Sequence, residues 1–163
     1  MSSQSLQKSE AWKRYLLIRQ KAYKLCMDEF QDVFGDRLML DALSEENVRS
    51  EVAHWNSGLD WLELLSRTNN VKRPRNFDVG IFYVPEGRES ALLVGAAQGR
   101  VSKGHKATSH VRIDFLSGNP TDNPFQGYIT GIAVQCAAYY ASLIDKRRVL
   151  LTRPNKNVQV FQH

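Results

Sequence analysis

Two cysteines, Cys26 and Cys136, are all that the 163 residues hold, and both lie in apolar, helix-like patterns. Buried thiols fit that setting better than a disulfide framework or a thiolate metal site, which need more cysteines at closer spacing. His54, His105 and His163 stand at no metal-ligand spacing to cysteine or carboxylates, so no metal is expected. No run of about 18 apolar residues occurs, which leaves no membrane span. The opening stretch MSSQSLQKSEAWKR has no apolar signal core, and a reducing, cytoplasmic setting is the resulting expectation. Helix-turn-helix and zinc-finger spacings are missing. So are a serine nucleophile elbow and a Walker loop. With no repeat, low-complexity tract or linker, residues 1–163 read as one domain.

What is present is an ordinary globular composition, 42% hydrophobic and 24% charged, on a chain long enough for a real core. The formal net charge of +5 suits an anionic ligand, nucleic acid or a phosphorylated cofactor, without choosing between them. The basic stretches VKRPR (71–75), Arg100 to Lys106 and KRR (146–148) read either as solvated loops or as phosphate contacts. They lack the interleaved aromatics that stack on single-stranded bases.

Trp12, Leu16, Tyr23, Cys26, Phe30 and Val33 recur at spacings of three, four or seven, which predicts a long N-terminal helix ending at Gly35. Arg19 interrupts that row and predicts that one side of it reaches solvent. Ser44, followed by Glu45 and Glu46, is an N-cap candidate for a helix running to Trp55, and LDWLELLSR is a shorter helical piece. The period then changes. Strand-like runs at 77–84, 91–101 and 110–116 predict an antiparallel three-stranded meander. From Gln126 to Asp145 the pattern is helical again, with Ile129, Ile132, Cys136, Tyr140 and Leu143 in an apolar row. RVLLT (148–152) is a short strand, so strand, helix and strand predict a parallel, right-handed β-α-β crossover. NKNVQVFQH is expected to begin a last helix, and no first strand is visible before residue 44. The fold class is α+β.

Gly127 and Gly131 open the 126–145 helix, although glycine inside a helix costs roughly 1 kcal/mol against alanine. Either they permit close helix–sheet packing, or they let an anion reach the N–H groups and partial positive charge of the helix start. GIAVQCAAYYASLIDKRRVLLTRPN resembles the central segment of the GNAT acyltransferases, and ALLVGAAQGRV and HVRIDFL resemble the strands before it. The resemblance covers roughly residues 44–162, with 1–35 as a helical extension. It implies acetyl-CoA or another acyl-CoA as cofactor. Main-chain groups of Phe115, Leu116 and Ser117 would pair with the pantetheine arm. The N–H groups from Gly127 and Tyr128 through Gly131, Ile132 and Ala133 would hold the pyrophosphate. Asn155 would lie near the thiol, or else cap a helix after Pro154. Departures from the family pattern are Tyr128 in place of a Gln or Arg and Phe161 in place of a late proton-donating tyrosine. The core also stops at His163, short of two strands that the family usually adds. The missing strands predict an open sheet edge and a homodimer that completes it.

Acylating an amine requires a proton acceptor. Asp114 and His110 lie on one face of the 110–116 strand with Arg112 and are the catalytic candidates. Asp114 is alternatively an ion-pair partner, and His110 an ordinary strand-end histidine. Tyr139 and Tyr140 read as core or surface aromatics. Two functions follow. One is an acyl-CoA-dependent N-acyltransferase whose acceptor amine belongs to a small molecule, a protein or a nucleobase. The other is a catalytically inactive GNAT-like module. It would grip a protein through Trp12, Tyr15 and Tyr23 of the first helix, or a nucleic acid through the basic loops.

Overall fold

A computed structural model of the chain describes residues 3–51, 55, 59–68, 73–87, 90–102, 109–152 and 158–162. Six strands form one sheet in chain order: β1 (Leu38–Asp41), β2 (Phe77–Tyr83), β3 (Leu92–Val101), β4 (His110–Gly118), β5 (Arg148–Thr152) and β6 (Val158–Gln162). Neighbours from β1 to β4 are antiparallel. β4 and β5 run parallel and are joined by helix α5 (Ile129–Leu143), the crossover that the period change at 126 predicts. Early helices, an antiparallel meander and a β-α-β crossover make the fold α+β. β2 and β3 are buried along nearly their whole length because helices cover both faces. On one side α1 (Ser3–Glu29) and α5 pack over Phe77, Ile81, Ile113 and Val149. On the other, α3 (Glu45–Glu51) and α4 (Trp61–Thr68) bring Val48, Trp61 and Leu64 against Phe82 and Leu93. The Ser44 hydroxyl accepts the Asn47 N–H at 3.1 Å, the cap expected there.

Three expectations are corrected. LMLD forms a first strand, reached from α1 through a short helix α2 (Gln31–Phe34) and a 3-10 turn, so the meander has four strands. VQVFQ at 158–162 is a strand rather than a helix. Its apolar–polar alternation is the two-residue period of a strand, and Val158 opposes Thr152. β5 is therefore covered by β6, and the sheet ends at β1 and β6 instead of at an open β5.

The third correction concerns Arg19, which does not reach solvent: it is 3% exposed. One of its terminal nitrogens donates to the carbonyls of Pro74 and Asn76, each at 2.9 Å, and its Nε lies 3.6 Å from the Asp78 carboxylate. Asp78 also accepts the Leu43 N–H at 2.8 Å, and its carbonyl takes the Tyr23 hydroxyl. A charge on the inward row of α1 thus ties that helix to β2 and the loop before it. Tyr23 is itself buried, so it cannot form part of an outward contact surface with Trp12 and Tyr15. Tyr140 is a core group as well. Burial pushes its hydroxyl up to about 12, and it donates to the Arg75 carbonyl at 2.7 Å. Tyr140→Phe should leave that carbonyl without its donor and lower stability by about 1 kcal/mol; urea unfolding measures this, and an unchanged midpoint would contradict it.

Candidate functional site at the divergence of β4 and β5

β4 and β5 are in register only from His110 opposite Arg148 to Ile113 opposite Leu151. From Asp114 to Gly118, β4 continues with no described strand on that side, while its other edge remains paired with β3. The divergence coincides with a β-bulge. Gly99 opposes Ile113 and Gln98 opposes Phe115, which leaves Asp114 as the extra residue. Such bulges bend a strand and re-aim its side chains. Before the bulge, Val111 and Ile113 join the α1–α5 core; after it, Phe115 packs into the α3–α4 cluster and Leu116 against the other core. Gly99 permits the distortion, because a Cβ there would lie 2.0 Å from the Arg112 carbonyl oxygen. Backbone cannot yield as a side-chain tip can, so Gly99→Ala should cost about 1–3 kcal/mol. Thermal unfolding reads this effect, and a neutral result would show that the bulge is not so tight.

A second bulge shapes the approach to α5. Val94 is the extra residue between Leu93 and Gly95, and its carbonyl takes the Asn119 N–H at 2.9 Å and the Asn123 amide at 3.0 Å. Asn123 in turn accepts the Phe125 N–H at 3.0 Å. Phe125 and Tyr128 both set ring edges against Phe34. Gly127 then turns the chain at φ +88°, a left-handed conformation that favours glycine.

At the start of α5 the Ile132 N–H bonds to the Tyr128 carbonyl at 2.9 Å. The N–H groups of Ile129, Thr130 and Gly131 precede that first bond and have no intrahelical acceptor. Tyr128, at the N-cap, offers no side-chain cap and is 51% exposed. Gly131 is exposed, and nothing lies within 4 Å of where its Cβ would stand; the same holds at Gly127. Close packing therefore does not account for either glycine. The side chains of Ile132 and Ala133 are buried and their N–H groups are used by the helix, so the free donors are those of residues 129 to 131. Phe115, Leu116 and Ser117 pair with β3 and lie beyond the described pairing of β4 with β5. Asn155 lies outside the described residues.

On the opposite side of the sheet from α5, Leu64 of α4, Asn76, Phe115 and Thr152 help line a cleft of about 350 Å³. Asp114 faces this cleft, which His110 does not line. The two catalytic candidates are four residues apart, roughly 13 Å at about 3.3 Å per residue, so the strand does not bring them to one point. The Asp114 carboxylate is shared between two guanidinium groups: Arg100 Nε at 2.9 Å and Arg112 Nε at 2.7 Å. Arg73 and the buried Gln98 also line the cleft. Gln98 did not stand out in the sequence and Arg73 did so only within the basic stretch 71–75, because residue 73, β3 and the bulge come to one cleft only once the register is set.

No known family profile matches this sequence, and no curated protein matches it. Among solved structures, the chain is similar to AtaTR bound with AcCoA, at a TM-score of 0.48 and 11% identity over 78% of this chain and 94% of that one. It is also similar to AtaT complexed with acetyl-methionyl-tRNAfMet, at 0.47 and 11% over 77% and 94%. A KacTA–DNA complex overlaps at 0.47 and 8% over 77% and 92%.

Proposed function

We propose that the chain is an acyl-CoA-dependent N-acyltransferase acting on an amine. The observation that carries this reading is the open approach to the first turn of α5, the helix that follows β4. Three unpartnered N–H groups beside an exposed glycine fit a pyrophosphate. The stretch of β4 at Phe115 to Ser117, which has no partner among the described residues on the β5 side, fits an amide-bearing arm that pairs with main chain. The cleft across the sheet leaves room for an acceptor.

Acetyl-CoA, when bound, would supply a thioester carbonyl: an ammonium substrate first gives up one proton, its nitrogen bonds to that carbonyl as the C–S bond breaks, and a second N–H proton goes to the leaving thiolate, so the products are an amide, the free thiol and one proton. The chain's part is to hold both reactants at the divergence and to accept a proton. Asp114 lines the acceptor cleft and is the group in reach, directly or through water; His110 is too far along the strand. Asp114→Asn should lower kcat by about 100-fold or more while leaving acetyl-CoA affinity unchanged, as read by thiol release and calorimetry. An unaltered kcat would remove Asp114 from the reaction.

The reading is tested by titrating the protein with acetyl-CoA. At 100 times the dissociation constant, a ligand selective for the folded state adds about 2.7 kcal/mol, visible as a rise in Tm. No rise at millimolar acetyl-CoA would overturn the enzyme and favour a binding module on the same scaffold.

A further inference from the structure

We infer that the acceptor amine is a small molecule carrying an anionic group, which Arg73 and Arg100 in the cleft recognise, with Arg112 beside it on Asp114. The inference rests on the acyltransferase reading and adds the substrate class. Arg100 and Arg112 are directly opposed across β3 and β4. Like charges in that position repel, and the Asp114 carboxylate relieves the repulsion by taking one Nε–H from each. It can neutralise only one of the two. Both guanidinium groups are bound through Nε, so their terminal nitrogens keep the fork that matches a carboxylate or phosphate. The Arg100 side chain is 54% exposed and that of Arg112 36%, so water does not have to be stripped from a deeply buried charge when an anion enters.

Arg73 adds another positive charge from the loop before β2. It is exposed, and its guanidinium makes no described hydrogen bond or ion pair. Three arginines against one carboxylate leave a surplus of two positive charges in and beside this cleft. Exposed ion pairs contribute little to stability, so folding gives little reason for such a surplus. A polyamine would meet repulsion here. An amine with a carboxylate or phosphate a few bonds away would place its anion on the arginines and its nitrogen toward the end of β5 at Thr152. A volume of about 350 Å³ is at the small end of ligand pockets and limits the size of the acceptor.

The test uses the full chain and four amines: a free α-amino acid, its methyl ester, O-phosphoethanolamine and putrescine. Thiol release with acetyl-CoA should give the amino acid or the phosphoamine a kcat/KM at least tenfold above both the ester and the diamine. The stronger of the two anionic amines tells carboxylate from phosphate recognition. Arg73→Ala should raise KM for the preferred anionic amine about tenfold with kcat nearly unchanged, and should leave the ester unaffected. Calorimetry of the four amines without acetyl-CoA reads the same charge preference independently of transfer. Failure of acetyl-CoA to bind would sink the acyltransferase reading alone. Equal or better use of the ester or putrescine would overturn the anionic acceptor. So would acetyl-CoA binding with turnover confined to amines carried on RNA or protein, or with no turnover of any of the four.

Discussion

Replacing Arg19 by methionine is expected to lower the stability of the protein by about 3–5 kcal/mol, the usual cost of stranding one member of a buried ion pair. A domain of this size has only about 5–15 kcal/mol to lose. Methionine keeps much of the volume and the helix propensity, so the loss reports on the charge and its hydrogen bonds. Asp78 would remain among Leu43, Tyr23 and β2 with no cation, and the Pro74 and Asn76 carbonyls would lose their donor. The variant should also have a distinctive pH dependence. Burial raises the Asp78 carboxyl above its ordinary range, and the Arg19 guanidinium pulls it back down. A carboxyl raised by folding contributes stability that is complete below its unfolded value, near 3.9, and lost as pH rises through its folded value. Without Arg19 that folded value rises further. The deficit of R19M should therefore be largest at neutral pH and shrink as the buffer is acidified toward the unfolded carboxyl's value, near 3.9, because Asp78 then takes up a proton. Adding Asp78→Asn should recover part of the loss at pH 7, because the amide removes the charge and can still accept the Leu43 N–H. Urea unfolding of the single and double variants at the two pH values decides the matter; a deficit independent of pH, with no recovery in the double variant, would show that the charge is not what Arg19 compensates.

Arg19 also marks a limit of what the sequence conveys. Its helix was legible from the spacing of Trp12, Leu16, Tyr23 and Cys26, yet an arginine in that row reads as an opening to solvent unless its partner is known. The partner lies 59 positions away at Asp78 (78 − 19), and only the packing of α1 on β2 brings them together. The β-α-β crossover was legible for the opposite reason: strand period, helix period and strand period follow one another locally. LMLD is too short for its period to stand out. VQVFQ does alternate, but the expectation of a helix after Pro154 displaced that signal. Asp114 was found as a candidate because it shares a strand face with Arg112. Arg100 and Arg73 were visible only as members of basic stretches; their convergence with Asp114 could not be read, since it depends on the cross-strand register and on a bulge made possible by Gly99. The acyl-CoA resemblance pointed to Gly127 and Gly131 together, but the reasons differ: Gly127 meets a backbone requirement at positive φ, whereas Gly131 meets none.

That difference gives the remaining prediction its force. Gly131 has ordinary helical geometry, is exposed and has no neighbour within 4 Å of its Cβ position. Alanine would fit without strain and should stabilise the ligand-free protein by about 0.4–1 kcal/mol, since glycine is the poorer helix former. On the acyltransferase reading, a glycine where alanine would fold better leaves room for a ligand to come close to its N–H. Gly131→Arg should still fold, because the side chain projects into open space, but it should cover the Ile129, Thr130 and Gly131 donors and abolish the rise in Tm with acetyl-CoA. Gly131→Ala should show both effects in mild form: a higher Tm without ligand and weaker acetyl-CoA binding. The arginine is a sharp test because it adds positive charge. If simple attraction of phosphate to a basic surface were responsible, G131R would bind acetyl-CoA more tightly. If the backbone donors are responsible, the added charge cannot replace them, and calorimetry should show loss of binding in a protein whose circular dichroism and unfolding midpoint remain near those of the parent.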